Sequence, residues 1–352
     1  MENTIFYEDC RVGLRKLLDK SVDCCVTSPP YFGLRDYGTA QWVGGDPDCK
    51  HFVMGDGFSA GMKQKTNTGS LRTAKDVCPT CEAVRIDRQI GLEETPELYI
   101  SQLVEIFTEV KRILKSAGTL WVNIGDSYAG SGRGKGDINK KGIQQKASYV
   151  GDFIKPYRLN GYKNKDLIGI PWMLAFALRD AGWYLRQDII WAKPNPMPES
   201  IKDRCTKSHE HIFLLSKSSK YHFDHLAIQT ETVGSEHDKT SRMSKKTCPT
   251  GLINGIRKSG GYYPNANKRD VWTICTAPEP EAHFACFPQK LIVDCIKAGC
   301  PENGIVLDPF MGSGTTAVVA RKLNRKYVGF ELNPDYMKIA DAKLRRELGI
   351  FQ

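Results

Sequence analysis

Near the C-terminal end of the chain, Ile305-Val306-Leu307-Asp308-Pro309-Phe310-Met311-Gly312-Ser313-Gly314-Thr315-Thr316 runs from an apolar strand through a glycine-rich turn into a helix start. No other stretch restricts the fold as strongly. A buried strand that feeds a helix through so short a turn belongs to a sheet with helices on its faces. Gly312 and Gly314 let the backbone approach a ligand closely, and the helix start offers unpaired N–H groups. A phosphate-binding loop would carry Lys where Thr315 stands, and Asp308 at the strand tip would repel phosphate. A carboxylate there suits a cationic ligand, such as the ammonium of an amino-acid-like cofactor. Glu331, 23 residues beyond Asp308 at the end of the next strand, stands where an acid accepts hydrogen bonds from ribose hydroxyls. The pair favours a nucleoside ligand over the alternative, a tight turn with a capped helix.

The remaining chain supplies the partners such a strand needs. A short helix after Val12 leads to a buried strand ending at Val26, and residues 96–116 carry apolar side chains at helical spacing behind Pro96. Strands are predicted at Gly118–Ile124, Leu185–Trp191, Glu210–Leu215, Gly304–Leu307 and Lys326–Phe330. Further helices are predicted at 167–182, Phe287–Ala298, Thr315–Leu323 and Asp335–Leu348. This alternation predicts an α/β fold, a doubly wound and mostly parallel sheet. Residues 38–92 read as an insertion. Residues 239–269 read as a separate segment between a catalytic half (1–37 and 93–238) and a cofactor half (270–352). No run reaches the length of a membrane span, so the expected location is cytoplasmic.

At the end of the first strand comes Thr27-Ser28-Pro29-Pro30-Tyr31, which the two prolines make a stiff loop. With the Asp308–Thr315 turn it resembles the amino-group (N4-cytosine or N6-adenine) DNA methyltransferases, in the order of the β class. Ala282-His283-Phe284-Ala285-Cys286-Phe287-Pro288 resembles a further cofactor motif of that family. The resemblance implies a Rossmann-like fold and S-adenosylmethionine bound by Asp9, Thr27, Phe287, Asp308, Pro309, Phe310, Gly312, Ser313, Gly314, Thr315 and Glu331. It implies catalysis by Ser28, Pro29, Pro30 and Tyr31 on a base swung out of the duplex. The chemistry agrees. An exocyclic amine is a poor nucleophile, and acceptors at Ser28 and the Pro29 carbonyl would free its lone pair, with Tyr31 offering a face for stacking. Ser28 favours cytosine N4 as the target, with adenine N6 as the alternative. RNA or protein glutamine are more distant substrates. Asp9 precedes a helix, so it reads either as a contact to the cofactor's adenine or as a helix cap. Attack through cysteine, as carbon-5 methylation requires, lacks its usual Pro-Cys dipeptide here.

Cys49-Lys50-His51 and Cys78-Pro79-Thr80-Cys81 carry metal-ligand spacing within the insertion. They predict a structural zinc site of Cys49, His51, Cys78 and Cys81, against loosely ordered thiols as the alternative. The net charge of +10 suits a polyanion. Nine basic residues fall in 129–165 and eight, with no acid, in 239–269. Double-stranded DNA is the expected partner, with Arg257, Lys258, Lys268 and Arg269 as candidate contacts and Lys193 and Asn195 on a Pro-rich stretch beside them. A cognate restriction endonuclease and a homodimer fit the same resemblance.

Overall fold

The structure, a computed structural model, describes residues 2–34, 37–50, 77–130, 161–231, 265–276 and 287–349. His51, Arg257, Lys258, residues 282–286 and most of both basic stretches lie outside the described residues.

Eight strands form one sheet: β1 (Thr4–Tyr7), β2 (Val22–Thr27), β5 (Leu114–Ile124), β6 (Tyr184–Ala192), β7 (His209–Ser216), β10 (Val271–Thr273), β11 (Ile305–Asp308) and β12 (Lys326–Glu331). Their order is β1-β12-β11-β2-β5-β7-β6-β10. Neighbours run parallel except around β7, which is antiparallel to both β5 and β6. The sheet is therefore mostly parallel, as expected, with one reversed strand. All six residues of β2 are buried, as a strand covered on both faces must be.

Helices α1 (Cys10–Lys16), α2 (Pro96–Ile113) and α3 (Ile170–Asp180) cover one face; α4 (Gln289–Gly299), α5 (Thr315–Lys322) and α6 (Pro334–Leu348) cover the other. Consecutive β2 residues show the two-sided core. Cys25 belongs to the core cluster that holds Leu14, Leu103, Phe107 and Leu174, whereas Cys24 belongs to the one that holds Leu291, Val318 and Leu344. Burial pushes both thiols far up, and those of Cys295 and Cys300 with them, so these cysteines stay protonated packing groups.

Three features differ from the sequence reading. α2 stops at Ile113 and the chain turns directly into β5 at Leu114, which pairs with Val22 of β2, while Lys115 meets Asp23 of β2 at 2.8 Å. β1 and β10, four and three residues long, complete the sheet edges. Within the insertion, β3 (Gln41–Val43) and β4 (Val84–Ile86) form an antiparallel ribbon, and the short β8 (Thr230–Glu231) and β9 (Asn265–Ala266) form a second one.

Register decides where function can sit. Asp308 pairs with Gly329, Leu307 with Cys25, and Tyr7 with Glu331. The C-terminal ends of β1, β12, β11 and β2 thus open on one side, where ligands bind in open parallel sheets.

Candidate active site

Asp308 is 1% exposed and lies at the hub of the glycine-rich turn. Its carboxylate accepts from Thr27 Oγ1 at 2.5 Å, Thr316 Oγ1 at 2.6 Å and the Phe310 N–H at 3.0 Å. Burial lifts its pKa to about 6, against the pull of those donors. The carboxylate is turned into the protein and ties the β2 loop to the β11 turn. Its oxygens accept from the chain itself, and Asp308 is not among the residues that border the cavity. Thr27, also 1% exposed, likewise serves this tie and does not line the cavity. Gly314, in the left-handed region at φ 79°, presses against α6, where a Cβ would stand 2.9 Å from the Ala340 Cβ. It shapes the turn from behind.

Residues Pro309 to Ser313 line the cavity. Gly312, with φ 54°, donates its N–H to Glu331 Oε2 at 2.8 Å, and the Asn333 N–H donates to Oε1 at 2.7 Å. Burial raises Glu331 to about 7. Thr315 lines the cavity too, and its hydroxyl accepts from Lys343 of α6, a fully buried amine 2.9 Å away.

Ser28, Pro29, Pro30 and Tyr31 line the same cavity, with Phe287 and Asp9. The loop is held from several sides. Tyr99 of α2 donates to the Pro30 carbonyl at 2.8 Å, and Gly33 N–H donates to the Gly91 carbonyl at 2.9 Å. The Tyr31 ring lies on Gly125, where a Cβ would come within 2.8 Å of it. Tyr31 donates to Glu210 Oε2 at 2.7 Å, and Asn123 donates to the same oxygen at 3.2 Å. Burial and the Glu210 carboxylate push the Tyr31 phenol well above its usual range, so it remains a donor. The Ser28 hydroxyl lies 3.5 Å from Asn123 Oδ1. Asp9 meets the helix-cap reading and stands beside the cavity. It caps α1 by accepting from the Arg11 N–H at 2.9 Å, grips the Arg11 guanidinium at 2.7 Å, and borders the cavity.

Glu210, Asn123, Tyr99 and Lys343 escaped the sequence reading. A signal existed for the first two: an amide within the apolar run Leu120–Ile124, and an acid just ahead of the apolar run Ile212–Leu215. Three of the expected DNA contacts have partners within the chain. Lys193 pairs with Glu210 and lies 4.2 Å from the Trp191 ring centroid, only 17% exposed. Asn195 clasps the backbone of Thr276, accepting from its N–H at 2.9 Å. Lys268 pairs with Asp294 at 2.6 Å. Each cation or amide is engaged within the fold; Arg269 is exposed.

In the insertion, the sulfurs of Cys49, Cys78 and Cys81 lie within 4.8 Å of one another. The Cys78–Cys81 turn is closed by Glu82 N–H to the Cys78 carbonyl at 2.9 Å and Cys78 N–H to the Ala83 carbonyl at 2.7 Å.

A Rossmann-like sheet with a Ser-Pro-Pro-Tyr loop and an Asp-Pro-Phe-Met-Gly-Ser-Gly turn on one cavity defines an amino-methyltransferase architecture. A DNA methylase family model matches residues 22–342, and the chain belongs to that family, the amino-group DNA methyltransferases. It is 41% identical over 344 residues to the Type II methyltransferase M.Cfr9I of Citrobacter freundii, covering 98% of this chain and 88% of the relative. It is 40% identical over 342 residues to the Type II methyltransferase M.SmaI of Serratia marcescens, covering 97% and 90%. Among solved structures, the PvuII DNA methyltransferase (cytosine-N4-specific) aligns with a TM-score of 0.55 at 17% identity, over 97% of this chain and 86% of that one. A DNA modification methylase of Thermus thermophilus, complexed with S-adenosyl-L-methionine, aligns at 0.52 and 19%, over 97% and 93%. At those identities the structural likeness speaks for the fold. No helix among the described residues is long and apolar enough to cross a membrane.

Proposed function

We propose that this chain transfers a methyl group from S-adenosylmethionine to the exocyclic N4 of cytosine in double-stranded DNA. The observation that carries this is the single cavity onto which both the Ser28–Tyr31 loop and the Pro309–Ser313 turn open. S-adenosylmethionine, when bound, supplies an electrophilic methyl on a sulfonium. The residues present fit it. Glu331 offers a carboxylate to ribose hydroxyls, the Pro309–Ser313 backbone offers polar groups to the amino-acid end, and Asp9, Ile90 and Phe310 border the remaining space. Asp308 and Thr27 act by holding the turn against the reactive loop.

Ser28 and the Pro29 carbonyl accept the two hydrogens of the target amine, so its lone pair is not left conjugated with the ring. Tyr31, fixed by Glu210, Asn123 and the close approach of Gly125, limits where a flipped base can stack. Cytosine is favoured over adenine because Ser28 occupies the acceptor position and because the PvuII neighbour is named cytosine-N4-specific. Arg257, Lys258 and Arg269 remain the candidate phosphate contacts, with 239–269 as the target-recognition segment and a cognate restriction endonuclease as the functional partner. The thiols of Cys49, Cys78 and Cys81 fit a structural zinc ion.

The test is direct. Duplex DNA incubated with the protein and labelled S-adenosylmethionine is digested to nucleosides and resolved by mass spectrometry. N4-methylcytosine is the expected product. N6-methyladenine alone would overturn the base assignment, and label only in RNA or protein would overturn the substrate class.

A further inference from the structure

We propose that the Cys49–Cys78–Cys81 cluster is the metal-held clasp of a ribbon whose two roots wall the cofactor cavity, so that zinc occupancy sets cofactor affinity. The inference rests on the reading of that cavity as the S-adenosylmethionine site.

The metal end comes first. Sulfurs bound to one tetrahedral zinc ion at ~2.3 Å stand about 3.8 Å apart. Cys49 Sγ and Cys78 Sγ lie 3.8 Å apart, and Cys81 joins them within 4.8 Å. All three are thiols. The turn that carries them is built tightly: Gly45, at φ 72°, lies where a Cβ would meet Cys81 Sγ at 2.7 Å and the Ala83 Cβ at 2.8 Å. Three sulfur donors favour zinc over oxygen-seeking cations.

The cavity end is made of the same segment's roots. Leu34, Tyr37 and Thr39 on the way in, and Arg88, Gln89 and Ile90 on the way out, line the cavity. The roots are laced together: Tyr37 N–H donates to Gln89 Oε1 at 2.6 Å, and Thr39 Oγ1 donates to Asp87 Oδ1 at 2.9 Å. They are also pinned to the body. Asn333 donates to the Tyr37 carbonyl at 3.0 Å and Arg11 to the Arg88 carbonyl at 2.8 Å, both from elements that carry cavity residues.

Among the described residues, the two ends are joined by the three-pair ladder Gln41–Ile86, Trp42–Arg85 and Val43–Val84 and the single Val77–Val84 bridge. Val43 is 52% exposed, Val84 44% and Ile86 39%. A two-stranded ribbon with so little buried apolar surface is marginal alone. Metal binding then supplies the ribbon's folding free energy. When the ribbon opens, its roots lose their fixed spacing, and apparent affinity falls by the fraction of molecules that retain the wall.

Elemental analysis of the full chain, purified without added metal, should find one zinc ion per chain. S-adenosylmethionine is then titrated by calorimetry into the protein as purified, after chelation, and after zinc is restored. Affinity should weaken at least about tenfold on chelation and recover with zinc. Amide exchange at residues 41–43 and 84–86 should quicken in step, while the amides of β2 and β11 keep their protection, showing that the sheet remains folded. Cys81→Ser should reproduce the chelated state. Absence of zinc, or equal affinity with and without it, overturns the proposal. A zinc-loaded protein that binds no S-adenosylmethionine, with the ribbon still protected by zinc, would instead refute the reading of the cavity.

Discussion

Glu331 offers the sharpest test of the cofactor cavity, through pH. Its carboxyl titrates at about 7 in the folded chain against an ordinary 4.5, because burial disfavours the charged form more than the Gly312 and Asn333 N–H groups favour it. The folded value lies above the unfolded one. Its contribution to stability is therefore fully present below about pH 4.5 and is lost as the pH rises through about 7. The whole effect is about 3 kcal/mol, at ~1.36 kcal/mol for each pKa unit. Cofactor binding follows the opposite course, because ribose hydroxyls bond best to the ionised carboxylate. A titration centred near 7 implies that affinity falls about tenfold between about pH 8 and about pH 6. Calorimetry in two buffers of different ionisation enthalpy measures both the affinity and the proton released on binding. Glu331→Gln should bind weakly at both pH values and show no such slope. A flat affinity in the parent protein, or the same slope in the Gln variant, would refute the assignment of Glu331 to the ligand.

Asp308→Ala should weaken cofactor binding by about ten- to a hundredfold and expose the Phe310 amide to exchange, since three donors lose their acceptor. If affinity falls while that amide stays protected, a direct contact to the ammonium is the better account. Glu210→Gln and Tyr31→Phe should each lower kcat by about tenfold with cofactor affinity unchanged, and the double variant should lose less than the product of the two. Full additivity in kinetic measurements would separate the two residues. Gly314→Ala should cost about 1–3 kcal/mol in urea unfolding, from a left-handed alanine crowded against Ala340; an unmoved midpoint would contradict that packing.

The parts of this molecule legible in the sequence are those written in local periodicity or in a contiguous motif. The buried run Val22–Thr27, the amphipathic α2 and the Asp308–Thr315 turn needed no knowledge of their partners. β1 and β10 are too short to show a period, and they are strands only because β12 and β6 offer edges. Side-chain destinations were the least visible. A lysine on a Pro-rich stretch reads as a phosphate contact until β7 brings Glu210 to meet Lys193. Asp308 reads as waiting for a cation until Thr27 and Thr316 are found on its oxygens. Both have one cause: the partner comes from another element, Glu210 from β7, Thr27 from β2 and Thr316 from α5.

The seating of β2 between β5 and β11 bears on how the protein is made. Thr27 reaches its bond partner Asp308 across 281 residues of chain. During translation, then, the strand that carries the reactive loop emerges early and waits with one edge open and its α4–α6 face uncovered. At roughly 5–20 residues per second that interval is roughly a quarter-minute to a minute. A nascent chain halted before Asp308 has neither the turn nor the acid Glu331 that completes the cavity. Such a wait exposes Cys24, Val26 and their neighbours to chaperones or to other unfinished copies, and yield at high expression temperature should be limited by that stage of synthesis more than by the stability of the finished fold.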